Sequence, residues 1–416
     1  IWSQYIYPIT FLFFIFLLWY WRKNIGRGPL TAILFFAGSL FPALGFFSVY
    51  PMKYSFVADH FQYLPCIGII AIFTSGISKL QREKISGPSF IILTGLVIFL
   101  GQLTWQLGPV YKDTFSLWQD TIKKNPAAWM AHNNLGNILA KNGKVKEAIS
   151  HYRTAIKIQH DLPLVHTNLG NTLADIGELE EAISHYRTAV KIEPGYFVAL
   201  NNLGDTLTKN GKLEEAIITY KSAIKMNPDY VQAHFSLGNA LTKKGQLAEA
   251  ISHYRTAIQI QPDYYLAHNN LGTTLNKVGK LEEAISHFRT TIEINSDYFQ
   301  AHFNLGNALS ASGKLEEAIN HFRTTIKIKP DEAQAHNNLG ISLAKKGELE
   351  EEIIHFGIAI KIKSDFAMAE NNLGGALLMA RKTREAITHF RAAIKIRPDY
   401  IDAQKNLETA LLKLKN

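Results

Sequence analysis

The 34 residues from Ala267 to Gln300, "AHNNLGTTLNKVGKLEEAISHFRTTIEINSDYFQ", are followed at Ala301 by "AHFNLG", where the same pattern begins again. Working outward, the pair Leu-Gly opens at Leu135, Leu169, Leu203, Leu237, Leu271, Leu305, Leu339 and Leu373, and Leu407 completes the series, so the period is 34 throughout. An Ala stands thirteen residues after each Leu, from Ala148 to Ala386 with one exception, and an aromatic four residues beyond it, from Tyr152 to Phe390. Pro194, Pro228, Pro262, Pro330 and Pro398 close their units. A fixed period of this length announces one supersecondary unit stacked on copies of itself.

The physical logic comes from the residue types. Leu and the aromatic fill the gap between two paired helices, while small Gly and Ala let the backbones approach. Gly143, Gly177, Gly211, Gly245, Gly279, Gly313 and Gly347 sit where the first helix must end, at a place suited to a left-handed residue. A unit that cannot bury its own apolar face must stack. This pattern resembles the tetratricopeptide repeat (TPR), a helix-turn-helix unit, in eight copies over residues 129–400. It departs from the family at the fourth position, where a Trp is common and this chain has His132, His166, His234, His268, His302 and His336. The resemblance implies an all-α, right-handed solenoid with the first helices lining a groove. Residues 401–416 repeat the first helix alone, as a cap, and residues 110–128 match a second helix, with Trp118 at the aromatic position.

Asn and Gly are poor helix formers, yet "AHNNLG" occurs at Ala131–Gly136, Ala267–Gly272 and Ala335–Gly340. The second Asn recurs at Asn134, Asn168, Asn202, Asn270, Asn304, Asn338, Asn372 and Asn406, with Ser236 the single exception. Next to a core Leu, this row points towards the inside of the superhelix. An amide offers an acceptor and two donors, the complement of a peptide group, so a ladder of amides can hold an extended chain without reading its sequence. A similar ladder is found in the solenoid of the soluble O-linked N-acetylglucosamine transferases. The alternative is that these amides bond neighbouring backbone and stiffen the superhelix; the sequence leaves both open. A second polar row at Asn137, Asn171, Asp205, Asn239 and Asn307 favours a binding groove, interrupted by Phe235 and Phe303.

Other readings are weaker. Some TPR domains grip a terminal carboxylate with two asparagines and a basic set, but the matching basic places hold Asn133, Thr167, Asn201, Met130, Leu164 and Val198. His151, His185, His253, His287, His321, His355 and His389 recur once per unit without a paired ligand spacing, so they read as packing or surface residues, and neither metal nor cofactor is expected. The net charge of +9 is spread along the chain. Residues 110–416 hold 37 Lys/Arg against 33 Asp/Glu, and the row Arg153, Arg187, Arg255, Arg289, Arg323 and Arg391 reads as a solvated face, so nucleic acid is not an expected partner. Two places break the repeat: Glu352 replaces the small Ala at a helix crossing, and "RKTR" (Arg381–Arg384) replaces a Gly-containing turn. A buried carboxylate is costly, so the array is expected to be weakest there.

The first quarter differs in kind. Residues 5–21, 30–50, 63–78 and 90–107 are apolar runs of about the 17–25 residues that cross a bilayer core of about 30 Å. Aromatic residues including Trp19, Tyr20, Trp21, Tyr50, Tyr63 and Trp105 stand at their ends, as at a membrane interface. Loops with Arg22, Lys23 and Arg27, and with Lys79, Arg82 and Lys84, are basic and are expected to face the cytoplasm. The loop with Asp59, and everything after residue 109, then lies on the opposite side. The chain opens at Ile1 beside an apolar run, and is read as the C-terminal part of a longer protein.

Apolar spans followed by "SLWQDTIKKNPAAWMAHNNLG", together with "VADHFQYLPCIG" (Val57–Gly68), resemble the transmembrane and tetratricopeptide-repeat-containing family of O-mannosyltransferases and their bacterial relatives. That resemblance implies a multi-span glycosyltransferase body, a polyprenyl-phosphate sugar, and repeats on the extracytoplasmic side. It also implies a catalytic acid in a first loop upstream of Ile1. Asp59 and His60 would then stand at the membrane face where a lipid phosphate or acceptor binds, although an interfacial loop anchored by Tyr54, Phe61 and Tyr63 explains them equally well. Two function classes follow: the acceptor-binding arm of a membrane protein O-glycosyltransferase, or a non-catalytic membrane-tethered scaffold. Both need extended protein segments as partners and a bilayer as anchor. With no Asn-X-Ser/Thr acceptor in the chain, a bacterial inner membrane and periplasm are preferred over an endoplasmic reticulum membrane and lumen.

Overall fold

The computed structural model describes residues 113–415, together with Phe16, Leu17, Trp19, Tyr20, Leu34 and Gln102. Apart from those few positions, the four apolar runs lie outside the described residues, as do Asp59 and His60. Among the described residues no helix is long and apolar enough to cross a membrane. The chain divides into two units, Ile1–Asp113 and Thr114–Asn416, and the second carries the repeats.

Every regular element described in this second unit is an α-helix, eighteen in all among the described residues. Residues 129–400 form eight successive hairpins, repeats one to eight in chain order. Repeat five is typical: its helix A is Tyr265–Lys277 and its helix B is Leu281–Ile294. Helix A turns into helix B at a Gly in the left-handed region, φ 75 to 88° in all seven repeats that have one. The amide of the next residue then reaches back to a helix carbonyl, as Lys280 N–H donates to Leu275 O at 2.9 Å. This satisfies a carbonyl that the helix end would otherwise leave unpaired. In repeat eight Arg381 takes the same place with φ 60°, and Lys382 N–H still reaches Leu377 O at 2.9 Å. The irregular "RKTR" therefore keeps the turn and accepts a left-handed non-Gly residue.

Inside each hairpin the Gly that follows the signature Leu lies under the aromatic of helix B. A Cβ placed on Gly272 would stand 2.7 Å from Cε1 of Phe288, and the other seven repeats show the same close approach. This is why the motif needs Gly despite its low helix propensity. Leu271, Leu275, Ala284 and Phe288 are buried together, and stacking carries the pattern from repeat to repeat.

The ends follow the same rules. Helix Thr114–Lys124 packs Phe115, Trp118 and Ile122 against the first repeat's core. At the other end helix Ile401–Lys415 buries Ala403 and Ala410 while exposing Leu412 and Leu414.

One apolar cluster runs from Leu135 to Leu343, and a separate one from Phe356 to Ala410. The break coincides with Glu352, which is 3% exposed at the crossing where the other repeats place Ala. Burial pushes its carboxyl above the usual range, as expected for a charge taken from water without a partner.

Candidate functional site

The asparagine rows occupy helix A of each repeat, one turn apart, and the structure connects them. The sixth-position amide of one repeat donates to the preceding repeat, but the acceptor alternates. Asn168, Asn304, Asn372 and Asn406 donate to Oδ1 of Asn133, Asn269, Asn337 and Asn371, at 2.9, 3.0, 3.0 and 3.0 Å. Asn202, Asn270 and Asn338 donate instead to Oδ1 of Asn171, Asn239 and Asn307, at 2.9, 2.8 and 2.7 Å. The fifth position decides: where it is Asn the bond goes there, and where it is Thr167, Phe235 or Phe303 the bond shifts to the ninth position.

The ladder thus stiffens the stack through side chains rather than backbone. It does not spend all its polar capacity. An amide has two N–H donors and one acceptor oxygen. Asn168, Asn202 and Asn372 each use one N–H in the ladder and keep Oδ1 unbonded, and all three are half-buried. Asn134, Asn270 and Asn338 also accept from Asn133, Asn269 and Asn337 at 3.1 Å, while Asn304 accepts from Gln300 at 3.3 Å.

Helix B supplies a feature the sequence reading missed. Repeats one to four carry Tyr at the aromatic position and repeats five to eight carry Phe. The four phenols donate to the ninth position: Tyr152 to Asn137 at 2.7 Å, Tyr186 to Asn171 at 2.7 Å, Tyr220 to Asp205 at 2.6 Å and Tyr254 to Asn239 at 2.8 Å. Burial pushes all four phenols up, so they remain O–H donors. The spacing of fifteen residues between the two partners was the available signal.

These polar floors line two clefts. The larger, about 520 Å³, holds Asp205, Tyr220, Ser236, Asn239, Tyr254 and Asn270 among its walls. The second, about 370 Å³, continues towards the N-terminus and includes Asn171, Tyr186, Asn202 and Asp205. Asn137 and Asn307, by contrast, line neither.

The histidines pair with one another. In six repeats the fourth-position and helix B imidazoles meet Nδ1 to Nδ1 at 2.9 to 3.0 Å. In five of them Nε2 of the first lies 3.0 to 3.3 Å from a backbone carbonyl. A carbonyl only accepts, so Nε2 carries the proton and Nδ1 receives one from the second ring. The bridge thus fixes which nitrogen donates within each pair, and burial disfavours a charge on the helix B ring. Repeat eight substitutes Glu370, whose carboxylate accepts from Nδ1 of His389 at 2.6 Å, and repeat three has Leu200 and Thr219. Among the described residues no group of three His, Cys, Asp or Glu is placed to hold a metal ion.

On the helix B surface the arginine row is matched across repeats. Arg153 meets Glu181 at 2.8 Å, Arg187 meets Glu215 at 2.5 Å, Arg289 meets Glu317 at 2.7 Å and Arg323 meets Glu351 at 2.7 Å. Arg255 pairs with Glu283 in the same way, and Lys221 with Glu249 at 2.8 Å. Such exposed pairs contribute little stability each, but they cancel what the sequence shows as a basic stripe.

Against known proteins, the family model described as TPR repeat matches residues 136–177, 170–211, 204–245, 238–279, 274–313 and 306–347, together half of the chain. Among curated proteins, human protein O-mannosyl-transferase TMTC1 is 30% identical over 135 residues, 31% of this chain and 15% of that protein. Mouse protein O-mannosyl-transferase TMTC2 is 31% identical over 105 residues, 24% of this chain and 12% of that protein. The matches lie in the repeat region, so the chain spans about a seventh or less of the length of these relatives. Among solved structures, YrrB, described as a TPR protein with an unusual peptide-binding site, is 24% identical with a TM-score of 0.41, covering 47% of this chain and 97% of that one. The Cut9–Hcn1 hetero-tetramer of APC/C is 18% identical with a TM-score of 0.49, covering 70% and 56%.

Proposed function

Because the chain belongs to the TPR repeat family, we propose that its groove binds extended protein segments. The observation that carries this is the asparagine ladder. It is pinned repeat to repeat by its own hydrogen bonds, yet Asn168, Asn202 and Asn372 retain a donor and an acceptor each. Side chains already held in place lose little rotamer freedom on binding, so the ligand's main-chain groups meet a pre-organised surface. Repeats stacked about 8–10 Å apart would meet a strand roughly every third residue at about 3.3 Å each.

The wider role proposed is the acceptor-binding arm of a membrane protein O-glycosyltransferase-like protein, anchored through residues 1–109 with the repeats extracytoplasmic. What supports it is the run of apolar segments before the solenoid and the similarity of the repeats to the TMTC proteins. Asp59 and His60 would then stand near a polyprenyl-phosphate sugar. A non-catalytic scaffold uses the same groove, and the coding sequence upstream of Ile1 separates the two: further spans with an acidic first loop make an enzyme, and a nearby start codon makes a scaffold.

The groove itself is tested by fluorescence anisotropy with a random library of labelled, unstructured peptides. Replacing Asn168, Asn202 and Asn372 together by Ala should weaken binding at least about tenfold, the effect of losing net hydrogen bonds of about 0.5–1.5 kcal/mol each. Unchanged affinity in a folded triple variant would sink the proposal.

A further inference from the structure

The ladder is broken once, between repeats three and four. In the other repeats with Asn at the fifth position, its Oδ1 accepts an amide from the next repeat's sixth position. Asn201 has the same place, but the next sixth position is Ser236, which is too short to reach it. Asn201 Oδ1 is accordingly the one buried side-chain polar atom among the described residues without a hydrogen-bond partner, on a side chain 1% exposed. An orphaned buried acceptor is uncommon in a native structure and calls for an explanation.

Three further features converge there. Ser236 lines the larger cleft, as does Asp205, to which Asn201 is bonded, while Asn201 itself is not part of the lining. Asp205 stands in the same wall and is the single acidic residue of the ninth-position row among the eight repeats. Its Oδ2 accepts from Asn201 Nδ2 at 3.0 Å and its Oδ1 from Tyr220 at 2.6 Å. Both oxygens are thereby fixed, and a carboxylate has about four lone-pair sites, so each can take another donor. Asn239, which also lines the cleft, is already satisfied: its Oδ1 receives both Tyr254 and Asn270.

We infer that this break is a side-chain subsite for a basic residue, Lys or Arg, of the bound segment. The inference rests on the peptide-binding reading of the groove. The ligand's ammonium or guanidinium supplies the N–H donor that Ser236 lacks, to Asn201 Oδ1, and meets the carboxylate of Asp205 beside it. Neutral amides could donate too, but a cation adds its own charge to the bond with Asp205 and makes it an ion pair. Lys209 and Lys243 also line the cleft, but both are exposed, on long flexible stems. The groove otherwise reads main chain, and this subsite fixes the register of the strand.

The test uses the full chain and labelled Gly/Ala/Ser peptides of about twelve residues, enough at about 3.3 Å each to cross four repeats. Their central residue is Lys, Gln, Glu or norleucine. The Lys peptide should bind about tenfold tighter than the Gln peptide, the scale of one charge-assisted hydrogen bond. Ser236→Asn, which restores the residue found in the other repeats, should abolish that preference; Asp205→Asn should reduce it. Equal binding of all four peptides, tightest binding of the Glu peptide, or a Lys preference that survives Ser236→Asn overturns the subsite and leaves the groove standing. No binding of any peptide overturns the groove and the subsite with it.

Discussion

Nδ1 of His268 lies 3.0 Å from Nδ1 of His287, and Nε2 of His268 lies 3.0 Å from the carbonyl of Pro262. One proton bridges the two rings, so a further proton would enter at Nε2 of His287, where Glu283 favours the charge but burial outweighs it. Burial, then the neighbouring imidazole, holds His287 below its ordinary value of 6.5, and burial lowers His151, His185, His253, His321 and His355 likewise. The unfolded chain therefore binds more protons below about pH 6.5, so stability is complete above that pH and is lost as pH falls. We expect the thermal midpoint to drop between pH 7 and pH 5 in a circular-dichroism titration. Replacing pairs by the Leu and Thr that repeat three uses (His268→Leu with His287→Thr, and likewise elsewhere) should flatten the slope in proportion to the pairs removed. A slope indifferent to their removal would place the proton uptake elsewhere.

Glu352→Ala should stabilise the chain. The substitution restores the residue that fills the other crossings and removes a carboxylate with no partner, a gain of about 1–3 kcal/mol at neutral pH. The folded carboxyl is raised, so its protonated form is tolerated and the penalty grows as pH rises through the folded value. The advantage of the variant should therefore be greatest at neutral pH and shrink towards pH 4. Hydrogen exchange should slow most in repeats seven and eight, whose apolar cluster is now separate; uniform slowing along the array would refute the local account.

Arg381→Gly should also stabilise, by about 1 kcal/mol, because Arg381 holds φ 60° where the other repeats have Gly. Its midpoint shift, measured beside Arg381→Ala, distinguishes backbone strain from loss of the side chain. Only the Gly variant should gain.

Two glycines offer opposite outcomes from the same change. Gly238→Ala drives a Cβ to 2.6 Å from the ring of Tyr254, inside a packed hairpin, and should cost about 1–3 kcal/mol. Gly375→Ala meets nothing within 4 Å in the middle of a helix, and should gain about 0.5–1 kcal/mol from helix propensity. Equal effects in urea titrations would mean that the aromatic, rather than the glycine, moves aside.

The helix hairpin was legible before any coordinate, because its parts are local. A 34-residue period, a Leu-Gly pair, an Ala and an aromatic at fixed offsets name the faces that must be buried, and Gly143 through Gly347 name the turns. The asparagine rows were legible as rows. Their partners were not, since Asn168 reaches back 35 residues to Asn133 whereas Asn202 reaches back 31 to Asn171. The histidines stood out singly, yet the pairs lie nineteen residues apart across the hairpin and look in sequence like two unrelated surface positions.

Periodicity alone therefore determined that this chain builds helix pairs and stacks them, because a repeated apolar face has to be covered by a copy of itself. Only the tertiary structure decided what the polar side chains do, because a hydrogen bond depends on which two ends meet at about 3 Å. Whether the fifth position is Asn, Thr or Phe redirects each amide of the ladder, and one Ser in place of Asn leaves Asn201 with an acceptor and no donor.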